Sequence, residues 1–261
     1  MKEILISNDD GIDALGINAA KQAVEDLGKV TIVAPTKEHS GLGRSLSVMK
    51  PLTIKKTKLN DNSVGYGISG TPTDSVTIGI RYIMDKKPDL VIAGINNGRN
   101  ISKVEITKSG TVGAALEAAN NDIPAIAISQ SIDMEDIKIE NNKMKFKKPL
   151  DFTYAQEILY KISKKILKKG LPPEVDLLNI NIPSHPTDNE IKLTKLSEKM
   201  FTPEIIEEKN ENKKHYLIKP NMITEYEEGT DGYVLLNKKQ VSITPLKVDM
   251  SGSIDKIKYI I

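Results

Sequence analysis

Short apolar runs rich in β-branched residues recur along the chain, and each ends in a polar turn. Ile4, Leu5 and Ile6 precede Ser7-Asn8-Asp9-Asp10-Gly11. The stretch from Lys29 to Pro35 leads into a loop carrying Thr36 to Arg44, and Leu90 to Ile95 leads into Asn96-Asn97-Gly98-Arg99-Asn100. Runs of this length, bounded by turn residues, predict buried parallel strands. Between them the spacing becomes helical. Ile17, Ala20, Val24 and Leu27 repeat at helical intervals before Gly28. Gly70-Thr71-Pro72-Thr73-Asp74 predicts a helix start, with Thr71 as N-cap, Pro72 in the first helical position and Asp74 completing a capping box. A small-residue helix follows Ser109-Gly110-Thr111, another buried strand spans Ile123 to Ser129, and an amphipathic helix spans Leu150 to Lys169, ended by Gly170. Leu177 to Pro183 is predicted as the last strand of the main sheet.

Two stretches break this alternation of strand and helix. From Ser45 to Ser69 short alternating segments predict antiparallel hairpins inserted after the second strand. Beyond Pro183 the chain is polar and rich in Lys and Glu, with weak strand signals until Val241 to Leu246. The expected fold is α/β: a Rossmann-like, mostly parallel sheet flanked by helices, with a β-hairpin insertion and a C-terminal excursion. Residues 1–261 are read as one domain, with a core over 1–183 and an excursion over 184–261 that makes oligomer contacts. No fixed-period repeat is present.

Composition narrows the chemistry. At 261 residues and 28.8 kDa the chain can bury a large core without staples. Lys+Arg 37 against Asp+Glu 35 leaves a net charge of +2, too small to steer a nucleic-acid duplex or an anionic membrane by bulk field, so any phosphate recognition has to be local. The absence of cysteine removes disulfides, thiolate metal sites and cysteine nucleophiles. Met1 leads directly into a strand with no signal-peptide pattern, and no apolar run approaches the ~18 residues of a spanning helix, so a cytoplasmic protein is expected. Neither a P-loop, nor a full dinucleotide fingerprint, nor a G-x-S-x-G elbow occurs, and His39, His185 and His215 are too scattered for a zinc site.

The candidate chemistry lies at the strand ends. In open α/β sheets the carboxyl edge faces the ligand crevice, which places Asp9 and Asp10 there. Adjacent carboxylates repel, and a hard divalent cation relieves that repulsion with oxygen ligands of the kind Asp supplies. Asn-Asp-Asp-Gly is also good turn chemistry, and the residues alone fit a turn as well as a metal site. Ser40 and Asn96, at two further strand ends, add neutral oxygens. The N-terminus of the helix after Ser109-Gly110-Thr111 would offer N–H groups and a positive dipole end to a phosphate, although plain capping by Ser109 or Thr111 explains the same residues.

Taken in order, Asn8-Asp9-Asp10-Gly11, Ala34-Pro35 with Glu38-His39-Ser40-Gly41, Gly70-Thr71-Pro72, Gly94 to Asn100 and Ser109-Gly110-Thr111-Val112 resemble the SurE family of survival-protein nucleotidases. Leu178 to Pro183 and Ser242 to Leu246 extend the resemblance over nearly the whole chain. The resemblance implies a divalent-metal-dependent phosphomonoesterase acting on nucleoside 5′-monophosphates, and possible action on 3′-monophosphates. It also implies one Mg²⁺ or Mn²⁺ per subunit, a cytoplasmic location, and a homodimer or homotetramer that exchanges C-terminal segments. By position, the implied metal ligands are Asp9, Asp10, Ser40 and Asn96. Asp9 and Asp10 are the candidate catalytic residues, while Asn96, Ser109, Gly110 and Thr111 are the candidate phosphate contacts.

The chain departs from the family pattern at Asn100 to Lys108, a slightly longer loop in which Glu105 takes the acidic position and Lys108 stands where Tyr or His is usual. Lys239-Gln240 stands where Gly-Tyr is expected. These departures keep open a second reading, a non-catalytic nucleotide-binding regulator. A receiver-type phosphoacceptor domain also begins with a strand and paired aspartates, but it needs a third Asp where this chain has Asn96, and it is about half this length.

Overall fold

The computed structural model describes residues 1–140, 143–210, 213–253, 255, 256 and 259. Its strands and helices run β1 (Glu3–Ser7), α1 (Leu15–Val24), β2 (Lys29–Pro35), β3 (Ile54–Lys58), β4 (Val64–Ile68), α2 (Pro72–Ile78), β5 (Leu90–Asn97) and α3 (Gly110–Ala119). They continue as β6 (Ala125–Gln130), β7 (Ile137–Glu140), β8 (Lys143–Phe146), α4 (Thr153–Lys169), β9 (Leu177–Ile182), β10 (Ile191–Leu193), β11 (Phe201–Asn210), β12 (Lys213–Met222) and β13 (Val241–Leu246).

Nine strands form one sheet in the order β10-β13-β9-β6-β5-β1-β2-β4-β3. From β4 across to β9 every neighbouring pair is parallel. Numbered by their own succession, these six strands follow the 3-2-1-4-5-6 order of a doubly wound dinucleotide-type fold. The alternation within each apolar run decides which face each residue serves. Ile4, Ile6, Ile32, Ile92, Ile126 and Ile128 pack under α1 and α4. Leu5, Val33, Val91, Ala93, Ala125 and Ala127 pack under α2 and α3. A slip of one residue would exchange the two sets, and each large aliphatic side chain misplaced would forfeit about 1.5–3 kcal/mol of burial.

The start of α2 forms as its sequence predicts. Thr71 Oγ1 accepts from Asp74 N at 3.1 Å, and Asp74 Oδ2 accepts from Thr71 N at 2.8 Å, with Pro72 in the first turn. The same two side chains hold the loop after β2, since Thr71 Oγ1 donates to Ser45 O and Asp74 Oδ1 accepts from Ser47 N.

Three readings of the sequence change. β4, the second strand of the expected hairpin with β3, also pairs in parallel with β2 as a strand of the main sheet. Ser45 to Met49 forms no strand. The sheet does not stop at Ile182, because β13 adds antiparallel to β9 and β10 adds beyond it. Strand pairing across more than fifty residues leaves no local trace. The weak strand signals after Pro183 become a ten-pair antiparallel ribbon, β11 with β12, whose exposed Ile205, Tyr216, Leu217 and Ile218 explain the missing alternation. A second short ribbon pairs β7 with β8 antiparallel, between the main-sheet strand β6 and α4.

Candidate active site

β1 and β5 are the neighbours at which the sheet's winding reverses, and loops from both strands open into the crevice this creates. The turn after β1 is closed by Asn8, whose Nδ2 donates to Gly11 O at 2.9 Å and whose Oδ1 accepts from Gly11 N at 3.1 Å. Gly11 has a φ of +105°, a conformation a side chain would strain. Asn-Asp-Asp-Gly is therefore a turn, as its chemistry predicts, and that turn sets the two aspartates side by side.

Asp9 is buried at 5 % exposure. Its Oδ1 accepts from Thr111 Oγ1 at 2.5 Å, and its backbone O accepts from His39 N at 2.8 Å. Asp10 is partly buried, and its Oδ2 accepts from Asn97 N at 3.3 Å. Burial pushes the Asp9 carboxyl up, against the Thr111 hydrogen bond that draws it down. Burial and the Asp9 charge push Asp10 up to about 7. The Glu38 carboxylate, read in the sequence only as part of a motif, raises both.

Asn96 is buried beside Ser129, to whose Oγ its Nδ2 donates at 3.3 Å. Among the described residues no donor reaches its Oδ1. Ser40 is exposed on the loop after β2, and its Oγ donates to Glu38 Oε1 at 2.7 Å rather than meeting Asp9 or Asp10. Ser109 caps α3, with Oγ accepting from Val112 N at 3.1 Å. A Cβ on Gly110 would lie 2.7 Å from Asp9 Cβ and 2.9 Å from its Oδ2, so only glycine lets α3 start this close to the carboxylate. Asp9, Asp10, Asn96, Ser109, Gly110 and Thr111 thus cluster around the ends of β1, β5 and α3, with Ser40 on the rim.

Several supporting residues escaped the sequence reading. Asn179 and Asn181 lie on one face of β9, fully buried, and both donate to Asn100 O, at 2.7 and 3.0 Å. Asn181 Oδ1 accepts from Asn100 N, and Ser129 Oγ accepts from Asn100 Nδ2, each at 2.8 Å. Paired asparagines two apart in an apolar strand were the available signal. A separate group, Asp133, Glu135 and His185, brings one ligand atom from each within 4.8 Å of the others; Glu135 and His185 are exposed and lie apart from the aspartate pair.

No helix among the described residues is long and apolar enough to cross a membrane. The family model of the survival protein SurE matches residues 4–203. The 5′-nucleotidase SurE of Methanobrevibacter smithii is 48% identical over 256 residues, covering 97% of each chain. The 5′-nucleotidase SurE of Methanosphaera stadtmanae is 42% identical over 259 residues, 98% of this chain and 99% of that one. The crystal structure of the SurE protein from Aquifex aeolicus superposes with a TM-score of 0.80 at 32% identity, covering 99% of both chains. With the doubly wound sheet and the paired aspartates at its switch point, these matches place the chain in the SurE family.

Proposed function

We propose that this chain is a 5′-nucleotidase that uses a divalent metal to hydrolyse nucleoside 5′-monophosphates to nucleoside and phosphate. The observation that carries the reading is the aspartate pair: a buried and a partly buried carboxylate, adjacent in the chain and set at a ligand crevice beside the N-terminus of a helix. The donor set fits a hard cation. Asp9 and Asp10 offer charged oxygens, Asn96 Oδ1 accepts from no donor among the described residues, and Ser40 follows His39, whose N–H meets Asp9 O. When bound, Mg²⁺ or Mn²⁺ supplies polarisation of a phosphoryl oxygen and lowers the pKa of coordinated water.

Each residue then has a role. Thr111 fixes the Asp9 rotamer, and Asp10, the more open carboxylate, accepts the proton of the attacking water. Ser109, Gly110 and Thr111 bring the positive end of α3 to the phosphate, where the missing side chain of Gly110 leaves room. Asn96 orients the phosphoryl group. The domain reading stands as part of this proposal: 1–261 act as one unit, and the exposed β11–β12 ribbon in 184–261 is the segment that a second copy covers. The relatives' names support a nucleotide-processing role, and a cytoplasmic location belongs to the proposal.

The test is inorganic phosphate release from a panel of nucleoside monophosphates with Mg²⁺, Mn²⁺ or chelator, for the wild type and Asp9→Asn. Metal-dependent release that vanishes in the folded variant is expected. Release undiminished by chelator would refute the metal. Stoichiometric nucleotide binding without release would favour the regulator reading, to which the Glu105–Lys108 departures point.

A further inference from the structure

The loop that delivers Ser109 to the site is fastened at its other end to the C-terminal part of the chain. Asp231 is fully buried and forms no ion pair among the described residues. Four donors satisfy it instead. Its Oδ1 accepts from Ser197 N at 2.8 Å, Ser197 Oγ at 2.7 Å and Gly232 N at 2.8 Å, and its Oδ2 accepts from Ser102 N at 2.9 Å. A second carboxylate repeats the connection. Glu105, 7 % exposed, accepts through Oε2 from Ser102 Oγ and from Met200 N at 2.8 Å. Lys103 N donates to Ser197 O at 2.8 Å.

From this anchor a series of turn hydrogen bonds carries the loop to the site. Ile106 N reaches Ser102 O, Lys108 N reaches Glu105 O, Ser109 N reaches Ile106 O, and Gly43 N reaches Lys108 O. Lys108 Nζ lies 3.6 Å from Glu105 Oε1 and 5.1 Å above the Phe201 ring, at the root of the ribbon. We infer that Asp231 is a positioning residue for phosphate recognition, acting through Ser102 and the 102–109 turns to place the N-terminus of α3 against Asp9. The inference rests on the function proposed above only in taking that N-terminus as the phosphate contact.

The hydrogen-bond pattern makes Asp231→Asn a selective cut. An amide keeps one acceptor oxygen, which retains the three donors from Ser197 and Gly232. Its NH₂ then faces Ser102 N–H, donor against donor, so the link to the loop is lost while the C-terminal anchor stays. Asp9 and Asp10 lie in the turn after β1 and Asn96 lies in β5, and Asn8 with Gly11 and Asn97 N hold the two aspartates independently of the Ser102 link. The Thr111 bond to Asp9 is the contact shared with α3, so a metal held there is expected to feel the cut far less than a phosphate does.

Binding of inorganic phosphate in Mn²⁺, and of Mn²⁺ alone, is measured by isothermal titration calorimetry on the full chain, so turnover is not required. Asp231→Asn is expected to weaken phosphate about tenfold, the scale of one hydrogen bond to a charged group, while Mn²⁺ affinity stays within about twofold. Ser197→Ala, which removes one Oδ1 donor and leaves the Ser102 bond, is expected to bind phosphate like the wild type. Unchanged phosphate affinity in Asp231→Asn would overturn the inference, as would parallel losses of phosphate and Mn²⁺. If Asp231→Asn does not fold, Glu105→Ala cuts the second connection and is expected to show the same split; equal affinities there would be equally fatal. A wild type that binds phosphate without turnover would overturn the nucleotidase and leave this assignment standing.

Discussion

Asp10→Asn should make the metal-free protein more stable while abolishing its activity. In the fold the Asp10 carboxyl titrates near 7, raised from 3.8 by burial and by Asp9. Between those values the native state holds a proton that the unfolded chain has released. Stability from this group is therefore fully present below about pH 4 and is lost as pH climbs to 7. The full difference amounts to about 4 kcal/mol at pH 8, and relaxation of Asp9 in the variant makes about 2–4 kcal/mol the expected gain. Asparagine keeps an oxygen for Asn97 N–H, so the substitution removes the charge and spares the turn. Urea unfolding in chelator at pH 8 should show that gain, equivalent to a rise in Tm of roughly 5–10 °C. At pH 4 the two proteins should converge. Saturating Mg²⁺ should stabilise the wild type and leave the variant unmoved. A variant less stable than the wild type at pH 8 in chelator would refute the account of the pair as mutually repelling carboxylates awaiting a cation.

Gly110→Ala places a methyl 2.7 Å from Asp9 Cβ, so the helix start must move; phosphate release should fall by at least tenfold, with stability down by about 1–3 kcal/mol in chelator. Thr111→Val removes the 2.5 Å bond to Asp9 at nearly constant shape, which should cost about 1.5–3 kcal/mol and raise the metal concentration needed for half-maximal activity. Thr71→Ala unmakes the capping box and the link to Ser45; a loss of about 1–2 kcal/mol in urea unfolding is expected, with metal affinity unchanged. The β11–β12 ribbon should mediate self-association: Ile218→Asp, at a position 71% exposed, should lower the oligomer mass in analytical ultracentrifugation without altering the far-UV spectrum.

Local chemistry determined much of this protein. The apolar runs fixed five buried strands because parallel strands covered on both faces admit few polar residues, and Thr71-Pro72-Thr73-Asp74 fixed a helix start because its capping bonds lie within four residues. Asn8 to Gly11 specified the turn that juxtaposes Asp9 and Asp10. Paired with the rule that crevices open at carboxyl strand ends, this made most of the candidate site readable before any coordinate. Tertiary structure decided what depends on distant partners. The return of β13 to β9, and the pairing of β4 with β2, are hydrogen-bond choices between segments whose own patterns fit several neighbours. Asn179 and Asn181 read as ordinary strand residues until Asn100 is brought against them. Asp231 lies 129 residues from Ser102 and carries no local mark of its burial, since a carboxylate in a polar stretch defaults to solvent. Only when the chain closes do four donors converge on its two oxygens.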